Sequence, residues 1–269
     1  MKFYEYVEHM KGVPYTRDVE YIKRWGSMFS RMYEWPLTVK SISDSSEIIK
    51  IPKYHEADRH NRFVPVRGLS QTLFKDMDRT TDIIADGLFN RTIISESFSG
   101  CVNLKRITIP KSITRIEENA FRGCDSLEDV YYEGSLEEWR KIDIVSEKYE
   151  VEFGEFYPGT PVQRIKSARL QHIPGNEALF RATIHFGCDL NELSPRWERE
   201  LLPILMKGKM SVSMAELREA KLEYVSDPNN SMEALSELAM DEDERVREAA
   251  KEAIEREDPD GKKKEHAPV

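Results

Sequence analysis

The segment His55-Glu56-Ala57-Asp58-Arg59-His60 lies close to a metal-binding motif. The zinc-peptidase signature His-Glu-x-x-His sets two imidazoles one helical turn apart on one face, with the glutamate as general base. Here the second histidine falls five residues after the first, not four, which turns it off the shared face. The segment also adjoins a strand-like stretch and not a long helix, so it reads as a solvated polar loop. A metal-dependent enzyme would need a site assembled from distant residues such as His55, His60, His172 and His185. Gly159-Thr160-Pro161 lacks the Gly-Lys-Ser/Thr that completes a phosphate loop. No Gly-x-Ser-x-Gly nucleophile elbow occurs. Carboxylates are abundant, as on any charged helical surface. No catalytic residue, metal or cofactor is assigned.

The cysteines point to architecture instead. Cys101 and Cys124 are 23 residues apart, and so are Phe98 and Phe121, Leu104 and Leu127, Ile107 and Val130, and Ile109 and Tyr132. A period of that length belongs to leucine-rich-repeat arrays. Ile107-Thr108-Ile109 and Val130-Tyr131-Tyr132 alternate as short strands with one buried face. Pro110 ends its strand by removing a ladder donor. The Phe, Cys and Leu at three-residue spacing suit a tight helical or 3-10 turn running back across the array. A weaker copy, Phe74, Met77, Thr80 and Ile83, begins 24 residues before Phe98. Ile49, Ile51 and Pro52 form a degenerate leading strand. Each coil leaves apolar positions uncovered until another stacks on it, so the same positions recur with the same chemistry. The repeat cysteines are therefore small buried hydrophobes. The third, Cys188, makes an odd number, and no disulfide framework is implied.

These residues resemble the BspA-type leucine-rich-repeat family, whose coils read approximately Ala-Phe-x-x-Cys-x-x-Leu-x-x-Ile-x-Ile-Pro. Ala120 to Leu127 matches closely. Val130 to Ile144 resembles the family's closing segment, a Tyr-Tyr strand followed by Glu-Glu-Trp, which places Trp139 in the core. The final strand of that segment corresponds to Ala182 to Phe186. The resemblance covers roughly residues 48–188 and implies a short α+β solenoid that binds a protein partner. Many members are surface or secreted proteins that bind host or matrix proteins, and that role is not carried over.

The stretch between the closing turn and the final strand departs from the family. Residues 145–178 form an insertion with Tyr149, Phe153, Phe156 and Tyr157, then Arg164, Lys166 and Arg169. Loops of this length are usually functional or lack order, and aromatics beside arginine are the composition of interface hot spots. Phe153, Phe156, Tyr157, Arg164, Lys166 and Arg169 are thus the candidate partner-binding residues. The competing reading is an elaborated cap that buries its own aromatics.

The flanks read as helices. Val19, Ile22, Trp25, Phe29 and Met32 recur every three or four residues, which predicts an amphipathic helix capped by Thr16 and ended before Pro36, within an N-terminal helical cap over 1–40. The array follows at 41–190. Residues 191–257 form a helical C-terminal region: Pro195 opens a helix that Pro203 kinks, and Ser213 with Glu216 makes a capping-box pattern. Two short helices then carry Met232, Leu235, Leu238 and Ala239, and Val246, Ala249, Ala250, Ala253 and Ile254. That pair is similar to one HEAT-like unit. The polar tail 258–269 is expected to be disordered.

A chain of 269 residues with 39% hydrophobic and 33% charged residues can bury a core under a highly charged surface. Its net charge of -9 argues against nucleic-acid binding. No window has the apolar length of a membrane span, and residues 1–18 do not read as a secretory signal, so the expected compartment is the cytoplasm. The function expected is a non-enzymatic interaction module, an intracellular adaptor or inhibitor. Its alternatives are a structural subunit of a larger, phage or mobile-element assembly, and the metal-dependent enzyme.

Overall fold

The computed structural model describes residues 1–17, 19–23, 37–42, 46–57, 61–69, 73–85, 91–145, 162–164, 175–209 and 211–257. In chain order the elements are α1 (Phe3–Met10), β1 (Val19–Lys23), β2 (Leu37–Ile42), β3 (Ile48–Lys50), β4 (Tyr54–Ala57), β5 (Arg62–Leu69), β6 (Asp82–Ile84), β7 (Thr92–Ile93), β8 (Arg106–Ile109), β9 (Arg115–Ile116) and β10 (Asp129–Tyr132). Then come α2 (Leu136–Trp139), β11 (Asp143–Ile144), β12 (Val162–Arg164), α3 (Glu177–Arg181), β13 (Thr183–His185), α4 (Arg196–Leu205), β14 (Val212–Ser213), α5 (Met214–Ser226), α6 (Met232–Leu238) and α7 (Glu244–Glu257). They fall into two compact units, Met1–His55 with Pro65–Asn191, and Glu56–Val64 with Glu192–Val269.

The first unit is built from stacked coils. Five strands run parallel in the order β13-β10-β8-β6-β3, and β12 adds antiparallel beyond β13. The repeat sets the register: Ile107 lies beside Val130 on one side and Ile83 on the other. A second parallel ladder, β11-β9-β7, forms where each coil turns back. Inside, Phe98 stacks between Phe74 at 5.3 Å and Phe121 at 4.9 Å, and Ile107, Ile109, Leu104 and Val130 have no exposure. Leu127 is buried at 6% exposure, and Tyr132 sits edge-on to Trp139 at 5.0 Å.

The cysteines have a more specific task than filling space. The Cys101 thiol donates to the Phe74 carbonyl at 2.8 Å, and the Cys124 thiol to the Phe98 carbonyl at 3.1 Å. Each thiol thus satisfies a buried acceptor on the preceding coil, which an aliphatic residue cannot do.

Asn176 stops the phenylalanine column. The Phe98 amide donates to the Ala120 carbonyl of the next coil, and the Phe121 amide donates in the same way to the Gly175 carbonyl. Gly175-Asn176 therefore stands where Ala-Phe would recur. The fully buried Asn176 accepts from the Phe121 amide and donates to the Glu117 carbonyl at 2.9 Å. Gly175 is at φ +70, and a Cβ there would lie 2.6 Å from Asn119 Cα. The last coil thus begins at Gly175, not after residue 178, because Gly175 and Asn176 belong to the packed array.

Two other expectations are corrected. Residues 19–23, predicted helical, form the strand β1, paired antiparallel with β2; residues 24–36 lie outside the described residues. The N-terminal helix that does occur among the described residues is α1. The coil strands, expected to bury one face, are buried on both: all four residues of β10 are buried, as is Thr108 in β8.

The second unit is helical. Ser213 caps α5 by accepting from the Glu216 amide at 3.0 Å, while the Glu216 carboxylate pairs with Lys209. Pro195 is the N-cap of α4, one residue before its helical start, and Pro203 lies inside that helix. Leu235, Leu238, Val246, Ala250 and Ala253 are buried, whereas Met232 is exposed. Lys221, only 9% exposed, is held by Asp241 at 2.6 Å and lies 4.1 Å over the Trp197 ring. The Val212 strand residue pairs with Phe63 in the first part of β5.

Candidate functional site

Of the six candidate partner-binding residues, Phe153, Phe156, Tyr157, Lys166 and Arg169 lie outside the described residues. Arg164 ends β12, with its backbone opposite Thr183 of β13. Both borders of the insertion are anchored in the array: the Val145 amide donates to Ile116 at 2.8 Å, and Gly175 accepts from Phe121 at 3.1 Å.

A second surface emerges on the outward row of the coil sheet. Strand parity puts Asp82, Arg106 and Asp129 beside one another there, with Ile84, Thr108 and Tyr131 one step further along and His185 opposite Tyr131. Arg106 pairs with Asp82 at 2.5 and 2.9 Å, and this pairing raises the guanidinium pKa further. His185 Nε2 lies 2.7 Å from Asp129 Oδ1, with both side chains under a tenth exposed. Burial pushes the Asp129 carboxyl up, but hydrogen bonds from His185 and from the Met1 amine at 2.9 Å pull it down, and the net position is below the ordinary 3.8. Tyr131 has no exposure, and burial raises its phenol strongly.

Helix α1 lies on this row. Tyr6 stacks on Tyr131 with centroids 4.4 Å apart, Phe3 tilts against the same ring at 5.5 Å, and Arg106 sits 5.9 Å over Tyr6. His185 stacks on Tyr131 at 4.9 Å, and the Tyr131 hydroxyl donates to the Met1 carbonyl. The following residues continue across to β3: Thr16 and Lys50 exchange two 2.8 Å hydrogen bonds, Lys50 Nζ donates to the Val13 carbonyl, and Lys50 lies 5.3 Å over Tyr15. Phe3, Tyr6, Val7 and Met10 have the i, i+3, i+4, i+7 spacing of one helical face, which was the available sequence signal. Tyr6, Val7 and Met10 are buried. Burying each side chain contributes about 1.5–3 kcal/mol, while ordering each backbone residue costs about 1–2 kcal/mol, so these opposing terms are of similar size.

The arrangement supports binding better than bond-making. Burial pushes the Cys101 thiol up to about 12, and Cys124 higher still, so neither is a nucleophile. His55 stacks on Tyr21 at 4.2 Å in β4, and His60 and His172 lie outside the described residues. Among the described residues no group of three His, Cys, Asp or Glu could hold a metal, and no helix is long and apolar enough to cross a membrane.

Residues 66–142 match the BspA type leucine rich repeat region, in six copies. This part of the chain is thus a leucine-rich-repeat region of BspA type, and such repeats are generally protein-interaction modules. Among solved structures, the chain is similar to a T. pallidum leucine rich repeat protein, at 19% identity and TM-score 0.32, over 43% of this chain and 50% of that one. It is also similar to a Bacteroides ovatus leucine-rich repeat protein, at 18% identity and TM-score 0.33, over 43% and 30%. A third, a leucine rich cell surface protein of Faecalibacterium prausnitzii, gives 18% identity and TM-score 0.29, over 45% and 32%. The chain spans half or less of the length of each. No curated protein matches it.

Proposed function

We propose that the chain is an intracellular adaptor or inhibitor that binds a protein partner through its coil array and the stretch between Val145 and Gly175. The observation that carries this reading is the break in pitch. Successive core positions recur every 23 residues, from Phe98 to Phe121, yet the next equivalent position is Asn176. An aromatic and basic stretch in the sequence between two coils, with both borders hydrogen-bonded to the array, supports this reading, because binding residues are commonly carried on loops of rigid scaffolds. We read α6 and α7 as one HEAT-like helix pair that offers a second surface.

The test is affinity purification from the native cell, with the parent beside Phe153→Ser/Phe156→Ser/Tyr157→Ser. A protein retained by the parent and lost by a variant of unchanged melting temperature supports the loop reading. Equal capture by both refutes the loop, and no partner above background for the parent refutes the adaptor.

A further inference from the structure

We propose that the outward row of β8, β10 and β13 is a site for a short amphipathic helix of a partner protein, and that α1 is its built-in competitor. The inference rests on the protein-binding reading, and the row borders β12, which lies within the insertion and pairs with β13.

The row has the composition of a recognition site. Its centre is a fully buried tyrosine, Tyr131, flanked by the Asp129–His185 and Asp82–Arg106 pairs. A solvated strand row needs no such combination; a row that receives aromatic side chains does. Helix α1 demonstrates the fit, placing Phe3 and Tyr6 on Tyr131 and Tyr6 under the Arg106 guanidinium. The partner segment is thus a helix with two aromatic residues three positions apart, the mode in which an amphipathic helix lays one face into a surface.

The occupant is built to leave. An eight-residue helix is too short to persist alone in water, so α1 is helical only while docked. It is attached by one face, and Met1 just before it is held by the Asp129 carboxylate and the Tyr131 hydroxyl, contacts that break when it lifts. After it, Gly12 turns the chain at φ +73, a backbone conformation that glycine adopts without strain, and in this proposal that turn is the hinge. Beyond the hinge, Thr16 is fixed to Lys50, so α1 can lift while the rest of the segment stays paired.

The test uses the full chain and a fluorescent synthetic peptide of residues 2–16 as probe. Wild type should bind it weakly because α1 already fills the row. Phe3→Ser/Tyr6→Ser should bind about tenfold tighter or more, because the competent state is no longer taxed by its own helix. Adding Tyr131→Ala should abolish the gain. If that variant does not fold, hydrogen exchange on the wild-type chain decides: α1 amides should exchange about a hundredfold faster than those of β8 and β10. Equal protection of α1 and β10, or a well-folded Phe3→Ser/Tyr6→Ser chain with no gain in affinity, overturns the proposal. Concentration-dependent dimers of wild type that vanish in this variant would assign the row to a second copy and also overturn it. The peptide assay is read against Tyr131, whereas the capture test is read against Phe153, Phe156 and Tyr157. A captured partner without peptide binding therefore sinks only this inference, and peptide binding without a captured partner sinks only the adaptor.

Discussion

Replacing Phe98 with alanine should be among the most damaging single changes in the coil array. The ring has no exposure and is sandwiched between Phe74 and Phe121 at 5.3 and 4.9 Å. Truncating a buried phenylalanine costs about 3–5 kcal/mol, the value depending on how far the site collapses. Collapse is restricted here, because the Phe98 amide is tied to Ala120 and its carbonyl to the Cys124 thiol. Two aromatic contacts are lost together, each contributing about 0.5–1.5 kcal/mol. Phe98→Ala should therefore fall near the upper end, about 4–5 kcal/mol. Phe121, which has one ring neighbour among the described residues, should cost about 3–4 kcal/mol. The assay must report on this unit alone, since a chain with two units need not unfold in one step. All three cysteines are buried and belong to it, so thiol labelling across a urea series is the suitable readout. A cost for Phe98→Ala below about 2 kcal/mol would refute the buried column.

Four further outcomes follow from the same geometry. Gly175→Ala should destabilise by more than about 1–2 kcal/mol, the cost of the left-handed backbone alone, because the new Cβ also meets Asn119; urea unfolding checks this. Asn176→Ala should cost about 1–3 kcal/mol by removing both the acceptor of the Phe121 amide and the donor to the part-buried Glu117 carbonyl, read in the same experiment. Cys101 and Cys124 should resist Ellman's reagent at pH 8 until the unit opens, since both are buried and their thiols are pushed far above that pH. For Asp129 the folded carboxyl lies below its unfolded value, so its contribution is present above about pH 4 and lost as pH falls through and below that value. The melting-temperature gap between wild type and Asp129→Asn should accordingly narrow from pH 7 to pH 3, and a constant gap would contradict the pairing.

The coil core was legible because its chemistry is dictated locally. Phe98, Cys101 and Leu104 each meet the same residue 23 positions on, and Ile107 meets another β-branched aliphatic, Val130, so spacing alone gives the register. Positions that depend on tertiary partners were not legible. Val19 and Ile22 have a spacing compatible with a helix, but the ladder with β2 decides their conformation, as tertiary pairing routinely overrides a short periodic signal. Asn176 and Gly175 carry no mark of their role, which exists only against Asn119, Phe121 and Glu117 of the preceding coil. Tyr131 reads as a half-exposed strand residue until α1 is placed over it.

The two ends of the coil sheet bear on how the protein keeps to itself. A parallel sheet that stops leaves a row of unpaired amides and carbonyls, an invitation to fibre growth. At one end β12 runs antiparallel along β13, a direction that breaks the repeat, so a further coil would meet a strand of the wrong polarity. At the other, Thr16 takes both the amide and the carbonyl of Lys50 on β3. Among the described residues each edge of the array thus carries a segment that does not belong to the repeat, and such segments oppose the stacking of a further coil.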